Sequence, residues 1–117
     1  MENMTMEQKA LELARLIKDG KGEDLVVLDI SELNSWTDYF VIATVSSAVQ
    51  SQGIQKQVKD ALKDLELEVH KTNNKREDGE DWNLIDLGNV VVHLMSKEAR
   101  EFYDLEKLWH AGKRLEF

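Results

Sequence analysis

The sequence predicts a single α/β domain: a mixed sheet of about five strands carrying about three helices. Three observations lead there. Short β-rich runs are apolar on both faces, capped stretches between them carry apolar residues at helical spacing, and one segment gives a strong hairpin signal. The implied order is α-β-β-α-β-β-β-α.

Thr5-Met6-Glu7-Gln8 fits a capping box, and Ala10, Leu13, Ala14 and Ile17 follow as one helical stripe until Gly20 offers a left-handed stop. Two runs then read as interior strands, Leu25-Val26-Val27-Leu28-Asp29-Ile30 and Tyr39-Phe40-Val41-Ile42-Ala43-Thr44-Val45. Ser46 and Ser47 stand where helix caps belong, with Gln50 three residues beyond Ser47. Ile54, Val58, Ala61, Leu62 and Leu65 form the stripe of the second helix. A third strand is expected over residues 67–71, which makes strand, helix and strand a parallel crossover. Residues 72–81 are polar and charged and read as an exposed loop. Beyond them, Trp82-Asn83-Leu84-Ile85-Asp86-Leu87 and Val90-Val91-Val92-His93-Leu94-Met95 flank Gly88-Asn89, a pair suited to a two-residue turn. Ser96 caps one last helix carrying Ala99, Phe102, Tyr103, Leu105, Leu108 and Trp109, which stops near Gly112.

A chain of 117 residues closes one core, so residues 1–117 are expected to form one domain, and the lack of proline, repeats or low-complexity segments gives nothing to divide it. An apolar fraction of 42 % and a charged fraction of 32 % are those of a globular protein. No apolar run approaches the roughly 20 residues of a membrane span, so no membrane partner is expected. The acidic, polar start of the chain and the absence of cysteine suggest the cytoplasm. A formal net charge of −8 repels phosphate backbones, which disfavours direct binding to bare RNA or DNA and favours a basic protein partner.

Chemistry has few footholds. Ser46 and Ser47 lie at a strand-to-helix turn, where backbone donors and the helix dipole can hold a phosphate, but no glycine-rich turn accompanies them, and capping is the favoured reading. His70, His93 and His110 are far apart on different elements, without the tight spacing of metal ligands. Glu77-Asp78-Gly79-Glu80-Asp81 lacks the alternating oxygen ligands of a calcium loop and reads as solvated. No cofactor, metal or catalytic residue is expected. For His93, a hydrogen-bonded sheet residue is the first reading and a partner contact the second. Trp82, at the start of the hairpin, is either a core lid or an interface anchor, and spacing does not choose. Phe102, Leu105 and Trp109 share one stripe of the last helix while Tyr103 points elsewhere, so that one stripe can be core and the other can seek a partner. Trp36, before the second strand, reads as local packing.

Thr37-Asp38-Tyr39-Phe40-Val41-Ile42-Ala43-Thr44, the run from Trp82 to Gly88, Val90-Val91-Val92-His93 and the block from Glu98 to Trp109 together resemble the ribosomal silencing factor family (RsfS, or Iojap). Within the last block, Arg-x-Phe-Tyr-x-Leu-Glu-x-Leu-Trp is the most specific part. The resemblance implies a nucleotidyltransferase-like topology without catalytic residues, since the Asp-x-Asp metal pair of such enzymes is missing. It also implies a translational repressor that is not an enzyme. Such a factor binds ribosomal protein uL14 of the large subunit, obstructs joining of the small subunit, and makes little direct contact with nucleic acid. By position the partner-contacting residues fall on Trp82, Tyr103, Asp104 and Leu105, with His93 and Met95 of the hairpin strand beside them. Two departures stand out: Thr44-Val45-Ser46-Ser47 replaces the usual Thr-Gly-Ser-Ser, and Gly88-Asn89 replaces Gly-Asp. Two alternatives stay open, a nucleotidyltransferase-related enzyme or nucleotide-binding regulator using Ser46, Ser47 and Asp38, and a homodimer that forms off the ribosome.

Overall fold

A computed structural model describes residues 4–33, 35–75 and 82–116. Helix α1 (Met6–Asp19) begins with the expected capping box: the Thr5 hydroxyl accepts from the Gln8 amide while the Gln8 side chain accepts from the Thr5 amide. Its stripe Ala10, Leu13, Ala14 and Ile17 is fully buried. Helix α2 (Ala48–Leu65) starts at Ser47, whose hydroxyl accepts from the Gln50 amide. The box is displaced by one residue, because Gln50 Oε1 accepts from both the amide and the hydroxyl of Ser46. Gln50 Nε2 also donates to the carbonyls of Gly20 and Lys21, fastening the end of α1 to the start of α2.

Six strands form one sheet: β1 (Glu23–Asp29), β2 (Tyr39–Thr44), β3 (Lys71–Lys75), β4 (Trp82–Asp86), β5 (Val90–Met95) and β6 (Lys113–Leu115), in the order β3-β4-β5-β2-β1-β6. Only the central pair β2 and β5 is parallel, the other pairings being antiparallel. The strand after α2 does run parallel to β2, but it lies at the far edge with β4 and β5 between them.

The expected third strand is corrected from residues 67–71 to Lys71–Lys75, so the first part of the expected 72–81 loop is strand, and residues 76–81, with the acidic run, lie outside the described residues. Thr72-Asn73-Asn74 is poor β sequence, yet an edge strand has only one neighbour to satisfy, and five residues of register with β4 outweigh propensity. The sixth strand, absent from the expectation, is three residues long and pairs with β1 over Lys113, Arg114 and Leu115, of which Leu115 alone is apolar.

Alternation along the strands divides the core between the two faces of the sheet. One face carries Val27, Val41, Ala43, Ile85, Val92 and Leu94 against α1 and α2. The opposite face carries Leu28, Phe40, Ile42, Val91 and Met95, covered in part by the short C-terminal helices. At the β4–β5 turn Gly88 takes a φ of +91°, its amide donates to the Asp86 carboxylate, and the Leu87 amide donates to the Val90 carbonyl.

Candidate docking site

The single last helix of the expectation is two. Helix α3 (Lys97–Tyr103), capped by the Ser96 hydroxyl, ends at Asp104 with a φ of +44°, and a short α4 (Leu105–Leu108) follows. Asp104 tolerates the left-handed region better than most residues, and its amide still donates to the Arg100 carbonyl. Arg100 holds the two helices in place: its Nε donates to the Glu106 carboxylate at 2.9 Å and a terminal nitrogen to the Thr44 hydroxyl at 2.9 Å.

This break redirects every side chain after it. The expected stripe of Phe102, Leu105 and Trp109 is therefore corrected: Leu105 is buried and Trp109 partly buried against Phe40, while Phe102 stands 67 % exposed. Tyr103, expected to point elsewhere, turns onto the sheet face and meets Trp82, the ring centroids 4.7 Å apart.

Trp82 lies partly buried between Tyr103 and His93. Its indole Nε1 donates to His93 Nδ1 at 3.0 Å. The lid reading fits this geometry, since the ring packs against His93 and keeps part of its own surface exposed. His93 is buried, and burial pushes its pKa down to about 3, so the ring is neutral. Accepting at Nδ1 places its proton on Nε2, which finds no hydrogen-bond partner and is sealed in. The Phe40 ring packs edge-to-face on the imidazole at 4.6 Å.

Of the six expected contact residues, Trp82, Tyr103 and Asp104 thus reach the surface together. His93, Met95 and Leu105 do not: Met95 is fully buried, and the other two lie beneath the aromatic lid. The expected contact residues His93, Met95 and Leu105 are instead buried, because β5 is covered on both sides and the turn at Asp104 drives Leu105 inward.

The rings continue beyond the expected set. Phe102 packs edge-on against Tyr103 at 4.9 Å, and at the other end Trp36, 57 % exposed, leans on Phe40 at 5.9 Å. An aromatic band therefore runs Trp36, Phe40, His93, Trp82, Tyr103, Phe102 across the face that α1 and α2 leave open. Phe40 was legible as a face residue from its alternation with Ile42, whereas nothing in the spacing brings Trp36 or Phe102 to it. Ser46 and Ser47 are engaged with Gln50 in capping α2. Among the described residues no group of three or more His, Cys, Asp or Glu side chains is arranged to hold a metal ion.

The aromatic band lies on one face of a mixed sheet whose other face packs against α1 and α2. The chain belongs to the ribosomal silencing factor family: the model of that family described as "Ribosomal silencing factor during starvation" matches residues 3–117. It is 39 % identical over 91 residues to the ribosomal silencing factor of Bacillus subtilis, covering 78 % of this chain and 75 % of that protein. It is 36 % identical over 107 residues to the one from Treponema pallidum, covering 91 % and 94 %. A crystal structure of a Chromobacterium violaceum protein superposes with a TM-score of 0.78 at 35 % identity, covering 97 % of this chain and 92 % of that one. The family is one of regulators, and the chain is accordingly not an enzyme.

Proposed function

We propose that this protein is a cytoplasmic translational repressor that docks on the large ribosomal subunit through ribosomal protein uL14 and sterically prevents the small subunit from joining. The observation that carries this reading is the Trp82–Tyr103 pair, partly buried and fixed from below by His93, with exposed Phe102 and Asp104 at its margin. Aromatic anchors of low side-chain entropy are what interface hot spots are made of. The net charge of −8 steers such a surface toward a basic protein and away from bare phosphate backbones, so that direct nucleic-acid contact is slight. Obstruction needs no chemistry, only a body of this size on the joining face. Off the ribosome, the same aromatic patch serves a homodimer that competes with docking.

The test is sedimentation of purified large subunits with the protein at moderate salt, for the parent chain and for Trp82→Ala and Tyr103→Ala. Each variant is first checked for a cooperative melt. Truncation of a hot-spot ring costs about 2 kcal/mol, so folded variants should bind on the order of 30-fold more weakly. Undiminished sedimentation of folded variants would overturn the reading.

A further inference from the structure

We propose that a small cavity at the start of α2 is a built site for internal water, which bridges the buried Asn83 of β4 to that helix. The cavity has a volume of about 40 Å³, and Ser47, Ala48, Ser51, Asn83 and Ser96 are among the residues that line it. A water takes up roughly 10–15 Å³ of such space, so the cavity admits about three at most and no larger metabolite. It lies on the side of the sheet away from the aromatic band, because Asn83 follows Trp82 in β4 and successive strand residues face opposite sides.

Hydrogen-bond accounting selects the ligand. Asn83 is only 3 % exposed; its side-chain nitrogen donates to the Ser51 hydroxyl at 2.6 Å, and its Oδ1 finds no partner in the protein. The Ser51 hydroxyl also accepts from Gln55 Nε2 at 3.0 Å, so its two acceptor positions are filled. A buried amide oxygen is costly to leave bare, and the site therefore calls for a donor from outside the chain. The second constraint is the start of α2, where Ser47 caps the helix and the backbone dipole presents its positive end. A cation suits the bare oxygen and is repelled by that end, whereas an anion suits the helix and is repelled by the oxygen. Water donates to Oδ1 and turns its own oxygen toward the helix, which satisfies both. The bridge adds to the direct Asn83–Ser51 bond and braces the end of β4 that carries Trp82. It does not depend on what the aromatic face binds.

The experiment is a high-resolution crystal structure of the full chain grown with sodium bromide, beside one of Asn83→Leu, which keeps the branched side-chain shape without its polar atoms. The parent should show an ordered water within about 3.2 Å of Asn83 Oδ1, as well fixed as the core atoms around it, and no anomalous bromide signal in the cavity. Asn83→Leu should lose that water. In solution, oxygen-17 relaxation dispersion should count at least one long-lived water fewer in the variant than in the parent. No density beside Oδ1, a bromide peak in the cavity, or the same water retained in Asn83→Leu would each overturn the proposal. Should the leucine variant not fold, the parent crystal decides alone by the first two outcomes.

Discussion

Trp82 and His93 are joined across the diagonal of the β4–β5 hairpin, the indole Nε1 donating to the imidazole Nδ1 at 3.0 Å. Leu84 is the residue directly opposite His93, and Trp82 stands opposite Met95, so the bond runs between neighbours on one face that the strand register brings within reach. It gives the indole a fixed plane and the imidazole a fixed tautomer. A partly buried tryptophan so held surrenders little further freedom on meeting a partner.

Removing the indole should therefore be felt by the isolated protein as well as by its partner. Trp82→Ala uncovers His93 and deletes the contact with Tyr103. Full core truncations of Trp cost about 3–5 kcal/mol, and a partly exposed ring should cost about 2 kcal/mol. Trp82→Phe keeps a ring and loses only the donor, for a cost of about 1 kcal/mol. Urea unfolding of both variants checks the order; equal stability of the alanine variant and the parent would contradict the lid role.

The sequence made much of this visible. Helices α1 and α2 were legible because their caps and stripes agree, and the hairpin because Gly88-Asn89 separates two β-rich runs. What escaped were elements whose stability is tertiary: β3, which is polar, and β6, which is three residues long, exist through register with a neighbour. The candidate site was half legible. Trp82 and Tyr103 stood out by type and position and Asp104 came only with the family resemblance, but a continuous helical wheel drawn through Asp104 puts Tyr103 on the wrong side, because a single left-handed residue cannot be seen in a periodicity.

That residue yields a second prediction. Asp104 sits at a φ of +44° with no side-chain cap bond to offset it. Asp104→Gly should stabilise the fold by up to about 1 kcal/mol, because it removes the Cβ, whereas Asp104→Ala keeps the Cβ and should fall only a few tenths of a kcal/mol below the parent, alanine being less at home than aspartate in the left-handed region. Thermal melts of the pair should bracket the parent. If the alanine variant is the more stable, the break between α3 and α4 is not maintained by Asp104.

Gly88 carries the tighter constraint. At a φ of +91° a side chain is strained, and a Cβ there would lie 3.1 Å from His70 Nε2. Because His70 is an exposed side chain that can swing aside, most of the cost is backbone strain, and Gly88→Ala should lose about 1–2 kcal/mol. His70→Ala in the same background should restore only a small part of it, as chemical denaturation of the single and double variants would measure.

The pH dependence of stability follows from His93. Burial holds its pKa at about 3 in the folded chain against 6.5 for an ordinary histidine, so the folded ring stays neutral where the unfolded one takes up a proton. A base with a depressed folded pKa weakens the fold as acid is added: the contribution is intact above pH 6.5, shrinks as pH falls below it, and stops shrinking near pH 3. In between, the slope approaches about 1.4 kcal/mol per pH unit, so stability should drop by about 2 kcal/mol from pH 7 to pH 5. His93→Asn offers its Oδ1 in place of Nδ1 to the Trp82 indole and cannot titrate, so whatever its stability at pH 7, the variant should lose that slope. Urea unfolding of both chains at pH 7, 6 and 5 makes the comparison, and parallel slopes would mean that His93 is reached by solvent and protonated within the folded protein.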